Sequence, residues 1–175
     1  SRKDPSTGVV LIERADYLEP APTKKFRLKP HGEVRLQYTY IIKCNEIVKD
    51  ADGNVVELKC TYDPSTRPGS GEWRSVKGTN HWVSAAHTKE VELRLYDKLF
   101  TEPEMGSIPE GKDYKEYLNP DSLKVTSGFA EPALLEDNSG LAVQFERVGY
   151  FFTDVDSTPE HFVFNKTTAL KDSFK

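Results

Sequence analysis

Long apolar runs are missing from this chain: none of its 175 residues lies in a stretch approaching the roughly 18 apolar residues that cross a bilayer. A membrane-spanning helix is therefore not expected. The opening Ser1-Arg2-Lys3-Asp4-Pro5 also lacks the apolar core of a secretory signal, so a cytoplasmic protein, expected as a monomer, is the reading. Cysteine is scarce, with only Cys44 and Cys60. The two flank a hairpin and are expected as free thiols packed as small hydrophobes, since their spacing supplies too few ligands for a metal. Histidine occurs four times, dispersed at positions 31, 81, 87 and 161, and no nucleophile elbow or phosphate-cradling glycine loop accompanies it. Hence no catalytic residue, no metal site and no cofactor is expected in this chain. Basic excess is absent too. A net charge of −4 argues against a sequence-blind nucleic-acid binder, which carries a clearly basic face.

What is present is strand pattern and turn chemistry. Val10 and Ile12 share one side of a first strand over residues 9–14, and Val34, Leu36, Tyr38 and Tyr40 alternate with Arg35, Gln37 and Thr39. Strands over 41–48 and 55–62 are joined by Asp50-Ala51-Asp52-Gly53-Asn54, where Asp-Gly supplies the positive φ of a tight hairpin. The alternating acids there do not make a calcium loop, because Gly53 falls at the fourth position rather than the sixth. Further strands are expected over 76–83, 89–95, 122–129, 141–152 and 161–165, with a turn over 137–140 and one short helix over 113–118 that ends before Asn119-Pro120. Asn165-Lys166-Thr167 fits a glycosylation sequon that has no meaning without export. Many short strands and almost no helix predict an all-β barrel or sandwich.

Two stretches break the ordinary pattern. In residues 141–152, Val143, Phe145 and Tyr150 can face a core, while Gln144, Glu146 and Arg147 are left over. A glutamine and an arginine three residues apart on a stiff strand offer the planar groups that read a base edge. Between Pro22 and Lys43 the charge reverses, with Lys24, Lys25, Arg27, Lys29, Arg35 and Lys43 against Glu33 alone. The bland alternative for these lysines and arginines is a solvated strand face, and for Gln144 and Arg147 a buried polar pair.

The segment Val143-Gln144-Phe145-Glu146-Arg147-Val148-Gly149-Tyr150-Phe151 resembles the C-terminal signature of glutaminyl-tRNA synthetases. So do residues 33–37, 76–87, 91–100 and the ending over 163–172, in the same order along nearly the whole chain. The resemblance implies an anticodon-binding module of two β-barrels, a proximal one from residues 1–23 and 102–175 and a distal one from 24–101. It also implies a role for each leftover side chain. Gln144 and Arg147, supported by Glu146, would bond the middle anticodon base, Arg27 the third, and Arg35 the first, where the family's second arginine is replaced by Gln37. Lys24, Lys25 and Lys29 would hold phosphates. Just upstream of Arg27, Lys25-Phe26 departs from the family's Tyr-Lys. The implied partners are the tRNA(Gln) anticodon loop and a catalytic domain to which ATP and Mg2+ belong, and the proximal barrel would draw a further strand from upstream. An archaeal- or eukaryotic-type glutamyl-tRNA synthetase shares this architecture, and a β-sandwich interaction module with no RNA role would also explain the strands.

Overall fold

The computed structural model describes residues 8–19, 26–70, 74–135, 140 and 142–170. Grouped by contacts, the chain forms two units, Ser1–Ala86 and His87–Lys175. Both are built from β-sheet, as the patterning predicts, and the hydrogen-bonded strand orders are open among the described residues rather than closed into barrels.

In the first unit, strands β1 (Val10–Leu11), β2 (Glu33–Leu36), β3 (Ile41–Lys49), β4 (Val55–Asp63), β5 (Thr79–Asn80) and β6 (Val83–Ser84) form a sheet of order β4-β3-β2-β5 and a separate β1-β6 pair. The β3–β4 turn is the one its sequence dictates. Gly53 has φ +82°, and Asp50 Oδ1 accepts the backbone N–H groups of Asp52 at 3.0 Å and Asn54 at 2.8 Å. Register then sets Cys44 opposite Cys60. Both are free thiols: Cys44 is buried as expected of a small hydrophobe, whereas Cys60 on β4 lies exposed, contrary to the expected packing. Tyr17, Leu28, Val34, Leu36, Ile42, Cys44 and Trp82 make the core, with Val10 and Ile12 packed on it.

The expected strand over 34–40 stops at Leu36. Tyr38 takes φ +61°, the Thr39 amide donates to Leu36 O at 2.9 Å, and Trp82 Nε1 donates to Gln37 O at 3.0 Å. A left-handed tyrosine is costly in isolation, and the surrounding bonds hold it there.

In the second unit, β7 (Lys89–Tyr96), β8 (Leu123–Ala130), β9 (Ala142–Phe145), β10 (Gly149–Thr153) and β11 (Val163–Thr168) form one sheet of order β8-β7-β11-β10-β9. Only β7–β11 is parallel. Val91, Ala130, Phe151, Phe162 and Phe164 make its core, and Phe145 packs on Phe151 and Phe164 with ring centroids 4.6 and 5.3 Å away. The short helix is a 3-10 turn, Tyr114–Tyr117, capped by Asp113, whose carboxylate accepts the Lys115 amide at 3.0 Å. A second short helix, Pro132–Leu135, precedes β9. The expected turn over 137–140 lies outside the described residues except for Gly140.

The division of the chain differs from the nested one expected. Val10–Leu11 pairs with Val83–Ser84 inside the first unit, and Lys89–Tyr96 joins the C-terminal sheet through Val163–Asn165. Pairing between strands distant in sequence decides this, and alternation within a strand carries no information about its partner.

A charge cluster rims the second sheet. Arg94 bonds Glu92 at 2.8 Å, Asp154 at 3.2 Å and Asp156 at 3.0 Å, and His161 lies 3.3 Å from Glu92. The Asp156 amide, with Asn165 and Arg94, holds the Asp154 carboxyl below its ordinary value, and the Arg94 guanidinium does the same for Glu92. A carboxyl depressed in the folded state adds stability above its unfolded pKa of about 4 and loses it as pH falls through the folded value. Thermal melts should therefore hold level from pH 7 to 5 and drop below about pH 4, and Arg94→Ala should flatten that drop. An unchanged acid limb in the variant would show that other carboxyls control it.

Candidate nucleic-acid interface

Leu28 anchors the basic stretch. Its side chain is buried, its amide donates to Asp16 O and its carbonyl accepts the Leu18 amide, each at 3.0 Å. Alternation then turns its neighbours Arg27 and Lys29 outward. Arg27 is 35% exposed, and its Nε lies 3.4 Å from the carboxylate of the fully buried Asp16. Phe26 stands 53% exposed beside it, with the Lys77 ammonium 5.4 Å from its ring centroid. Gly78 makes this approach possible. A Cβ there would sit 2.9 Å from Phe26 O and 2.9 Å from a Val34 methyl, so only bare backbone fits. The result is a groove of about 440 Å³ lined by Ala15, Phe26, Arg27, Lys77 and Thr79.

Arg35 is placed differently from the base reader implied by the resemblance. It is buried, with Nη1 donating to Thr39 O at 2.8 Å and Thr66 O at 2.9 Å, and Nη2 donating to Arg74 O at 3.0 Å. A guanidinium donating to three main-chain carbonyls ties Thr66 and Arg74 to β2. Gln37 is half-buried in the turn after β2, with its backbone N–H donating to Asn80 O at 3.0 Å. Lys29 is exposed, while Lys24 and Lys25 lie outside the described residues.

The expected strand over 141–152 is a hairpin instead. β9 ends at Phe145, the Val148 amide donates to Phe145 O at 3.0 Å, and Arg147 sits in the turn with φ +67°. Gln144 is thus on a strand and Arg147 at its tip, with Glu146 half-buried between them. The turn also reverses the face expected of Tyr150. Val143 pairs with Phe151 on the inner side and Gln144 with Tyr150 on the outer, where Tyr150 is 43% exposed. Gly149 closes the hairpin, for a Cβ there would lie 2.7 Å from Thr168 O. Lys77 and Asp16 were not among the site residues read from sequence, and Phe26 entered only as a departure from the family pattern just upstream of Arg27. The exposed Phe26 is visible as an aromatic inside a basic run, but its meeting with Lys77 is not.

The β-sheet framework thus sets Arg27 in a groove of the first unit and Arg147 in a tight turn of the second. Two family models, both described as tRNA synthetases class I (E and Q), anti-codon binding domain, match residues 1–63 and 79–154. The chain belongs to this family of anticodon-binding domains. It is also similar to glutamine–tRNA ligases: that of Nitrobacter hamburgensis is 47% identical over 98% of this chain and 32% of the relative. Those of Rhodopirellula baltica and Pseudomonas syringae pv. tomato are each 46% identical over 99% of it, covering 29% and 31% of the relative. The chain spans about a third of the length of these curated relatives.

Proposed function

We propose that this chain is the anticodon-reading portion of a glutamine–tRNA ligase, holding the anticodon loop of tRNA(Gln) so that aminoacylation in a separate catalytic domain, with its ATP and Mg2+, depends on the loop's sequence. The observation that carries it is the partly exposed Arg27, oriented by a buried carboxylate within a basic stretch of an otherwise acidic chain. Anticodon bases are unpaired and can be splayed against fixed donors and aromatic rings. Arg27 is assigned the third base. Gln144 and Arg147 are assigned the middle one, with Tyr150 on the same outer face as Gln144. Lys29, with Lys24 and Lys25, supplies phosphate contacts that add affinity without sequence information.

The test is a titration against two anticodon stem-loops, one carrying CUG and one altered at its middle base, at low and physiological salt. Preference for CUG at both salts is expected, on affinities that fall with salt as phosphate contacts release counterions. Equal binding of both loops would reduce the chain to a phosphate-binding surface, and no binding would remove the RNA role.

A further inference from the structure

Resting on that reading of Arg27, we propose that Phe26 and Lys77 complete the site as a stacking subsite for one unpaired ribonucleotide: the ring takes the base on the face turned away from the Lys77 ammonium, the ammonium takes its phosphate, and Asp16 positions the Arg27 fork at the base edge. Several features converge on it. Phe26 keeps 53% of its surface exposed although core positions lie two residues away at Leu28. Its carbonyl lies against the backbone of Gly78, which is itself tied to β2 by the Arg35 amide donating to Gly78 O at 2.9 Å. An exposed ring beside such a contact is a platform on which a base can stack.

The charges around it select the ligand. Lys77 and Arg27 both border the groove, so a purely apolar occupant would meet two cations, whereas a nucleotide presents a π-face and a phosphate together. Asp16 contacts the Nε side of Arg27, which leaves the terminal nitrogens as the donors nearest a base edge. A buried carboxylate in this position serves orientation, and it touches no ligand itself.

The experiment is an abasic scan of the CUG stem-loop, in which each loop base in turn is removed and its phosphate kept, against the unaltered chain, Phe26→Ala, Phe26→Trp and Lys77→Ala. Phe26→Ala should weaken the intact loop about ten-fold, the size of one lost base–aromatic stack. That loss should vanish at one abasic position only, and Phe26→Trp should restore binding. Lys77→Ala should weaken all loops alike and lower the salt dependence by about one phosphate. If the unaltered chain discriminates CUG but Phe26→Ala binds as tightly, or loses the same factor at every abasic position, the stacking subsite is overturned while the anticodon reading stands. If the unaltered chain binds neither loop, both fall together.

Discussion

Replacing Arg35 by alanine is expected to lower the melting temperature of the first unit by roughly 12–24 °C while leaving base discrimination intact in the molecules that remain folded. The magnitude follows from what the guanidinium does. It satisfies the carbonyls of Thr39, Thr66 and Arg74 from a buried position. A hydrogen bond involving a charged group contributes about 1.5–3 kcal/mol, and a buried carbonyl left without a donor costs about 1–3 kcal/mol. Because the three bonds share one side chain they are not additive, and a total near 3 kcal/mol is expected. For a unit of this size, each kcal/mol moves the midpoint by about 4–8 °C. Calorimetry on Arg35→Ala, followed by stem-loop titration well below its midpoint, separates the two roles. A variant that melts with the parent but no longer prefers CUG would return Arg35 to the base-reading set.

The fate of Arg35 also shows where sequence stops being readable. Its place in an alternating strand correctly sets it opposite Val34 and Leu36, so an outward, wet position follows from period two. That outer face is nevertheless met by Thr66 and Arg74, and Thr66 is itself buried and donates to Asp63 O at 2.7 Å. No local pattern announces a loop from 30 residues away. The β3–β4 hairpin was legible for the opposite reason: Asp50 and Gly53 act on their own neighbours, and turn chemistry is local. The strand expected over 89–95 was legible likewise, since its Val91, Leu93 and Leu95 give β7 one face that meets the core. The break after Phe145 was hidden because Glu146-Arg147-Val148 contains neither glycine nor proline, the residues that usually mark a positive φ. The all-β class and the family thus follow from the chain itself, whereas the groove at Phe26, which joins residues 15–16, 26–27 and 77–79, exists only once distant strands have met.

Arg147 leads to the second large effect, in which stability and recognition should move in opposite directions. At φ +67° a non-glycine residue carries about 1–2 kcal/mol of backbone strain, and such residues gather at functional sites. Glycine at the same position removes the strain at some cost in unfolded-chain entropy, so Arg147→Gly should raise the stability of the hairpin by about 0.5–1 kcal/mol. If the side chain reads the middle base, the same variant should lose about 1–3 kcal/mol of discrimination between CUG and the altered loop, roughly 5–150-fold. Arg147→Ala separates the causes, because it keeps the strained backbone and removes the fork: discrimination should fall as far, with no gain in melting temperature. A glycine variant that still prefers CUG by the parental factor would sink the reading role. One that melts lower than the parent would show that the arginine side chain, through its contacts, is what closes the turn. An arginine held at φ +67° is kept there either by its own contacts in the turn or by its use in recognition, and the paired measurements decide between the two.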